Sequence, residues 1–272
     1  MKKLIASTFL CLGVPVAFAQ TADLMVTYLY THPEQTMRKA EADVSNQYIL
    51  ICSGIKSKFY SPKTEYIDSI ESTPEGFERF NMFKRMCYEK KQSHLIPRVD
   101  GSFYISKSFK NKKIRTYDVA SGTRFKWDEN LVELHWNVTD SSKNIMGYEC
   151  FMAQTYFHGR GWTVWFSPEI PVGDGPWKLH GLPGLILEAV CDGGQYHFVA
   201  EALQTVKNPY YGIYSEDNWD PISATGFWQL RRSCLENPSH AASSSANVIV
   251  YNGLSYSKYL PKDIVDYIET DY

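Results

Sequence analysis

The sequence lacks several features that would announce an activity. Basic residues are not in excess: 28 Lys and Arg stand against 30 Asp and Glu, a net charge of −2. Nucleic acid is therefore excluded as a default partner, because phosphate binding is driven by a basic footprint. There is no CxxC pair and no Cys/His run with metal-ligand spacing, so neither a structural metal nor a cofactor is expected. The GxSxG nucleophile elbow, the HExxH metalloprotease helix and the Gly-rich phosphate loop are all absent, which weighs against an enzyme although a triad can be dispersed along a chain. Beyond the first 20 residues no apolar run reaches the length of about 20 residues that spans a bilayer. Disorder is excluded as well, because 44% of the residues are hydrophobic and the charge imbalance is small.

What is present begins with a leader. Lys2 and Lys3 form a charged start, residues 4–16 an apolar stretch, and Ala17-Phe18-Ala19 a small-x-small cleavage site, so cleavage is expected before Gln20. Pro15 and the cleavage site stop the run short of a membrane anchor. Cys11 follows Phe9 and Leu10, where a lipid-attachment site would carry small residues, and reads as an ordinary leader cysteine. Residues 20–272 are then expected to form one domain, exported to the periplasm or outer membrane or secreted. Cys52, Cys87, Cys150, Cys191 and Cys234 remain. An oxidising compartment predicts one or two disulfides among them with one thiol left over, and the sequence does not choose the pairing.

Short runs rich in Tyr, Phe, Val, Ile and Trp, separated by turn residues, predict strands at 24–30, 47–52, 57–60, 102–107, 113–118, 124–127, 131–138, 145–157, 162–166, 185–190 and 195–203. In the seventh, Val132, Leu134 and Trp136 fall on one face and Glu133, His135 and Asn137 on the other. Thr73-Pro74 opens a helix over 73–91 whose Phe77, Phe80, Phe83, Met86 and Cys87 should pack on the sheet. A second helix is predicted from Asp220-Pro221 to residue 236, with Ile222, Phe227, Leu230 and Cys234 inward, and a third over 261–269. The small polar run 239–246 reads as a loop. The fold class is therefore α+β: a predominantly antiparallel, curved sheet, bowl or half-barrel, with two or three packing helices.

Residues 147–188 concentrate Gly, Pro and Trp as no other part of the chain does. Leu182-Pro183-Gly184-Leu185 has the composition of a type II turn, with Gly184 at the position of positive φ, and Pro171, Gly173, Gly175 and Pro176 restrict the approach to it. This block resembles the GLPGLI family of exported proteins of Gram-negative bacteria, whose naming motif is Gly181-Leu182-Pro183-Gly184-Leu185-Ile186. Gly147-Tyr148, Cys150, Ala153, Phe157, Gly159-Arg160, Trp165-Phe166, Glu169-Ile170-Pro171 and Gly175-Pro176-Trp177-Lys178 follow the same pattern, as do Lys58-Phe59-Tyr60-Ser61 upstream. Cys191 and the C-terminal Tyr267-Ile268-Glu269 depart from it. The resemblance implies export and an antiparallel fold, and no agreed activity. A weaker similarity, to the bowl-like N-terminal module of an amidase that removes N-linked glycans, implies an accessory surface.

The candidate ligand-binding residues are Arg160, Trp165, Glu169, Trp177, Leu182 and Pro183 on a rigid loop; no catalytic set is assigned. Arg160 either grips an anionic group or pairs with Glu169 across a hairpin. Glu169, Asp174, Glu188 and Asp192 near Trp162, Trp165 and Trp177 suggest glycan chemistry on one reading and solvated acids beside core tryptophans on the other. His158 and His180 bracket the loop without a ligand pattern. The expected function is a non-enzymatic binding or accessory protein of the cell envelope, meeting a small ligand or an envelope protein. A hydrolase of glycan or peptide using Glu169, and a motif that is purely structural, are the alternatives.

Overall fold

The computed structural model describes residues 23–33, 43–97, 103–120, 122–236 and 267–272. The expected leader, the 239–246 loop and most of the third predicted helix lie outside the described residues; 267–269, its described part, are not helical. In chain order the elements are β1 (Asp23–Pro33), β2 (Asp43–Cys52), β3 (Lys56–Tyr60), α1 (Pro62–Glu71), α2 (Pro74–Glu89), β4 (Tyr104–Ser108), β5 (Lys113–Ala120), β6 (Thr123–Asn130), β7 (Asn137–Ile145), β8 (Tyr148–Phe157), β9 (Arg160–Ser167), β10 (Leu185–Cys191), β11 (His197–Val206), β12 (Asp220–Pro221) and α3 (Ala224–Glu236).

The strands form one sheet in the order β12-β6-β5-β4-β3-β2-β1-β11-β10-β9-β8-β7, antiparallel throughout except for the short β12–β6 pair. The sheet is open and curled, as the alternating strands predict. Its inner face carries the main core: Val26, Tyr28, Leu50, Phe59, Ile105, Trp127, Trp162, Val164 and Phe198 meet Ile170, Trp177, Leu179 and Leu182 from the connection between β9 and β10. That connection fills the bowl. A smaller outer core, Ile51, Tyr60, Tyr104, Tyr117, Ile213 and Trp219, joins the other face to the segment that precedes β12.

Several expectations are corrected. Residues 131–136 join no ladder, and β7 begins only at Asn137. The segment is instead tied to the inner connection: Trp136 Nε1 donates to the His180 carbonyl at 2.9 Å, and His180 Nε2 lies 3.0 Å from the Val132 carbonyl. Its period-two pattern survives only as Leu134, which is buried, while Val132 is 49% exposed. The strand predicted at 145–157 is β8, which begins only at Tyr148, after a turn at Met146 and Gly147 that joins it to β7. Helix α1 was not expected; Ser61 caps it and Pro62 stands in its first turn, the same device read correctly at Thr73-Pro74 for α2. Helix α2 does not pack its apolar residues on the sheet. Among its residues only Cys87 is buried, and Phe77 and Met86 are 46% and 41% exposed, because α1 and the turn at Ser93–Leu95 are what it packs against. Asp220-Pro221 starts a strand rather than a helix; α3 begins after Ser223, whose hydroxyl accepts from Gly226 N at 3.0 Å. All five cysteines are free thiols, so the expected disulfides are not formed.

The motif turn is also corrected. Positive φ falls at Gly181 (93°), not at Gly184. Gly184 is required for another reason: a Cβ there would stand 2.2 Å from the Ser167 carbonyl oxygen at the end of β9. Gly184→Ala must push two backbone segments apart, so we expect it to lower unfolding stability by about 1–3 kcal/mol, the usual cost of overpacking. Gly54→Ala, where a Cβ meets no atom within 4 Å, should change it little. Urea titration of the two variants checks the contrast.

Candidate functional site

The connection between β9 and β10 is locked to itself before it meets anything else. Gly181 N donates to the Gly173 carbonyl, Leu185 N to the Ile170 carbonyl and Ile186 N to the Asp174 carbonyl, each at 3.0 Å. Trp177 adopts a left-handed conformation (φ 53°), unfavourable for a bulky residue. Packing holds it there: its ring centroid lies 5.3 Å from that of Trp162 and 5.6 Å from those of Phe157 and His158. The result is to aim the next side chain, Lys178, into the protein.

Lys178 is fully buried and lies between two carboxylates, 2.5 Å from Glu129 Oε2 and 2.6 Å from Glu269 Oε1. Glu129 comes from β6, near one end of the sheet order, and Glu269 from the C-terminal segment. The remaining oxygens are engaged too. Tyr272 donates its hydroxyl to Glu129 Oε1 at 2.6 Å, Trp127 Nε1 donates to Glu129 Oε2 at 3.0 Å, and Trp228 Nε1 donates to Glu269 Oε2 at 3.2 Å. His158, on the β8–β9 turn, faces the same group, 3.6 Å from Glu129, 3.7 Å from Glu269 and 3.2 Å from Asp271. The cluster thus joins both ends of the curled sheet, the inner connection and residues 267–272.

Burial penalises the charges of Lys178, Glu129 and Glu269. For Lys178 the penalty is outweighed by the attraction of Glu269 and Glu129, which lift its pKa above the ordinary ammonium range. Burial also opposes ionisation of Glu129, but the charge and hydrogen bond of Lys178 and the hydroxyl of Tyr272 bring it below the usual carboxylate range. In Glu269 burial prevails over the pull of Lys178 and His158, and its pKa is raised. Glu129, His158 and Glu269 offer three ligand atoms within 4.8 Å of one another, the minimum for a metal. The cation those carboxylates hold is already the ammonium of Lys178, so the donor set does not fit a metal.

A second buried lysine repeats the arrangement. Lys107, on β4, pairs with Asp174 and donates to the carbonyls of Gly175 (2.8 Å) and Leu179 (3.3 Å). His180, beside it, is buried; burial lowers its pKa against the opposing effect of the Lys178 and Val132 carbonyls.

The sequence candidates are dispersed by this geometry. Trp177 and Leu182 are buried in the core, Pro183 and Glu169 are exposed, and Trp165 is half-exposed on the outer face. Arg160 does not pair with Glu169: it donates to the Tyr267 carbonyl, and its guanidinium lies 4.9 Å from the Tyr196 ring centroid. Glu169 accepts from Glu149 N at 2.9 Å. Glu188 is on the outer face, 2.5 Å from Lys143 and 3.2 Å from His197, while Asp192 is exposed at the turn after β10. His158 and His180 belong to separate sets of contacts. Sequence reading missed Lys107, Glu129 and the role of Lys178. One signal for Lys178 was available: a lysine inside a Trp-Lys-Leu-His-Gly-Leu run has little chance of reaching water and needs a buried acid.

Comparison with known proteins adds the following. A family model described as a protein of unknown function (Porph_ging) matches residues 157–188, the span that holds Trp177, Lys178 and the Gly181-Leu182-Pro183-Gly184 turn. No curated protein matches the chain. Two solved structures of PNGF-II, in space groups P21 and C2, are similar in fold: each has a TM-score of 0.51 and 16% identity, over 78% and 77% of this chain. The chain spans about a third of the length of those proteins, 33% and 32%. At this identity the likeness is one of fold.

Removing Lys178 leaves two carboxylates facing each other without water. We expect Lys178→Ala to cost about 3–5 kcal/mol, the range for breaking one side of a buried ion pair. Exposed Lys110, changed to Ala, should cost almost nothing. Chemical denaturation of both proteins decides the matter.

Proposed function

We propose that the chain is an exported, non-enzymatic binding or accessory module of the cell envelope, in which the Gly181–Ile186 motif works from inside as a plug that sets the curvature of the sheet. The observation that carries this reading is the burial of the motif block: Trp177, Lys178, Leu179, His180, Leu182, Leu185, Ile186 and Leu187 are all between 0% and 3% exposed. With only Gly181 and Pro183 of the motif exposed, the segment offers little contact surface of its own. The groups that chemistry would need, Asp174, His180, Glu129, Glu269 and Lys178, are engaged in internal pairs and hydrogen bonds, which favours support over turnover.

The outer face of β8 to β11 and β1 supplies the surface. Cross-strand register sets Met152, Trp165, Glu188, Val199 and Leu29 in one row, all half-exposed. Trp165 is held rigid by the Lys143 ammonium, 4.4 Å from its ring centroid, and Lys143 by Glu188. An anchored aromatic on an exposed sheet face is the kind of group that dominates binding energy.

Trp165→Ala should therefore leave the unfolding midpoint nearly unchanged and abolish a defined cross-linked species, or a bound mass in native mass spectrometry, of the mature protein taken from its own envelope. Trp177→Ala should unfold the protein, at a cost of about 3–5 kcal/mol. Turnover of a glycan or peptide by the purified chain, lost in Glu169→Gln, would replace this reading by a hydrolase.

A further inference from the structure

On the outer face of the other half of the sheet lies a cavity of about 320 Å³. Its origin is in the sequence. Ser106 and Ser108, the smallest side chains of β4, alternate outward between the longer Lys113 and Arg115 of β5 on one side and the 211–216 segment on the other. Buried Lys58 fixes that segment, donating to the Gly212 carbonyl at 2.7 Å and pairing with Glu65. Asp128, Glu216, Tyr117 and Asn111 complete the polar wall.

The charged groups of this wall hold one another still. Arg115 donates Nε and a terminal nitrogen to the two oxygens of Asp128 (2.5 and 2.9 Å) and its other terminal nitrogen to Glu216 Oε1 at 3.2 Å. Tyr117 donates to the same Oε1 at 2.6 Å, and Lys126 Nζ reaches the Glu216 carbonyl at 2.9 Å. The hydrogen bond from Arg115 holds the Asp128 carboxyl below the usual carboxylate range, so the pair is ionised.

Two consequences follow for a ligand. Lys113 and Arg115 balance Asp128 and Glu216, so the lining is electrically neutral and gives no net pull to an anion or a cation. Hydrogen-bonding capacity nevertheless remains: Glu216 Oε2 lies outside these contacts, Lys113 is 58% exposed with its nearest carboxylate oxygen at 3.9 Å, and Ser106, Ser108 and Asn111 line the same space. Neutral overall, rich in both donors and acceptors and already ordered, the cavity suits a molecule that offers many hydroxyls and no charge.

We infer that this cavity binds a neutral polyhydroxylated ligand, a saccharide of one or two rings, with Glu216 and Asp128 accepting from its hydroxyls and Lys113, Asn111 and the serines donating. The inference rests on the binding-module reading and names the ligand class for it.

The test is saturation-transfer NMR on the full mature chain with glucose, galactose, N-acetylglucosamine and lactose as separate probes, and with sulfate and phosphate as competitors. At least one sugar should receive saturation and should not be displaced by either anion. Glu216→Gln should weaken it about tenfold, the value of one charged hydrogen bond, and Lys113→Ala should weaken it less. Ser106→Leu, which fills the cavity floor, should abolish it; the folded spectrum of each variant is the control. No transfer to any of the four sugars, displacement by sulfate or phosphate, or transfer undiminished in both Ser106→Leu and Glu216→Gln overturns the inference. The wider reading would fail separately, if Trp165→Ala also left every envelope contact intact.

Discussion

The pairing of Lys178 with Glu129 and Glu269 is the constraint on which the rest of the structure depends. A twelve-stranded sheet that curls without closing has an interior to fill, and the 17 residues between β9 and β10 fill it. Apolar contact alone would let such a plug settle in several ways, since cores tolerate repacking. A buried ammonium with two carboxylate partners does not, because every other placement strands a charge away from water. Asp174, buried four residues earlier on the same connection, pairs with Lys107 of β4 and fixes the connection a second time. Between them Trp177 is held in a backbone conformation it would not choose, and the motif turn is pressed against β9 so closely that only glycine fits at position 184.

Much of the fold was legible in the sequence because a sheet with one buried face writes itself as alternation. β1, β3, β5, β9 and β10 lie where β-branched and aromatic residues alternate between turns. The errors share one physical cause, a tertiary contact that overrides a local pattern. Residues 131–136 alternate like a strand, yet the Val132 carbonyl meets the His180 ring and the Trp136 indole donates to the His180 carbonyl, so the pattern serves a strap over the plug. Helix α2 has the apolar spacing of a packing helix that lies on the sheet, but α1, for which the sequence reading has no element between the strand at 57–60 and Thr73, is its neighbour.

The candidate site was less legible. Sequence reading chose the Gly/Pro/Trp block as a rigid surface, and rigidity was the sound part of that choice. Its direction was not visible: the period of a loop does not tell which side faces water, and Trp177 and Leu182 turn inward while Glu169 and Pro183 turn outward. The partners of Lys178 stand 49 residues before it, in Glu129, and 91 residues after it, in Glu269, so no local spacing could pair them. What this leaves is a division of labour between the faces: charge is used inside for shape, and the outer face keeps the row around Trp165 and its neutral polar cavity.

Native-state hydrogen exchange at the amides of Leu179, Gly181, Leu185 and Ile186 tests the central claim most directly. If the connection is a plug held by buried charge, these amides exchange only through global unfolding, with the same free energy as the amides of β1 and β11. Exchange through a local opening well below the global free energy, as in an ordinary surface loop, would contradict the account.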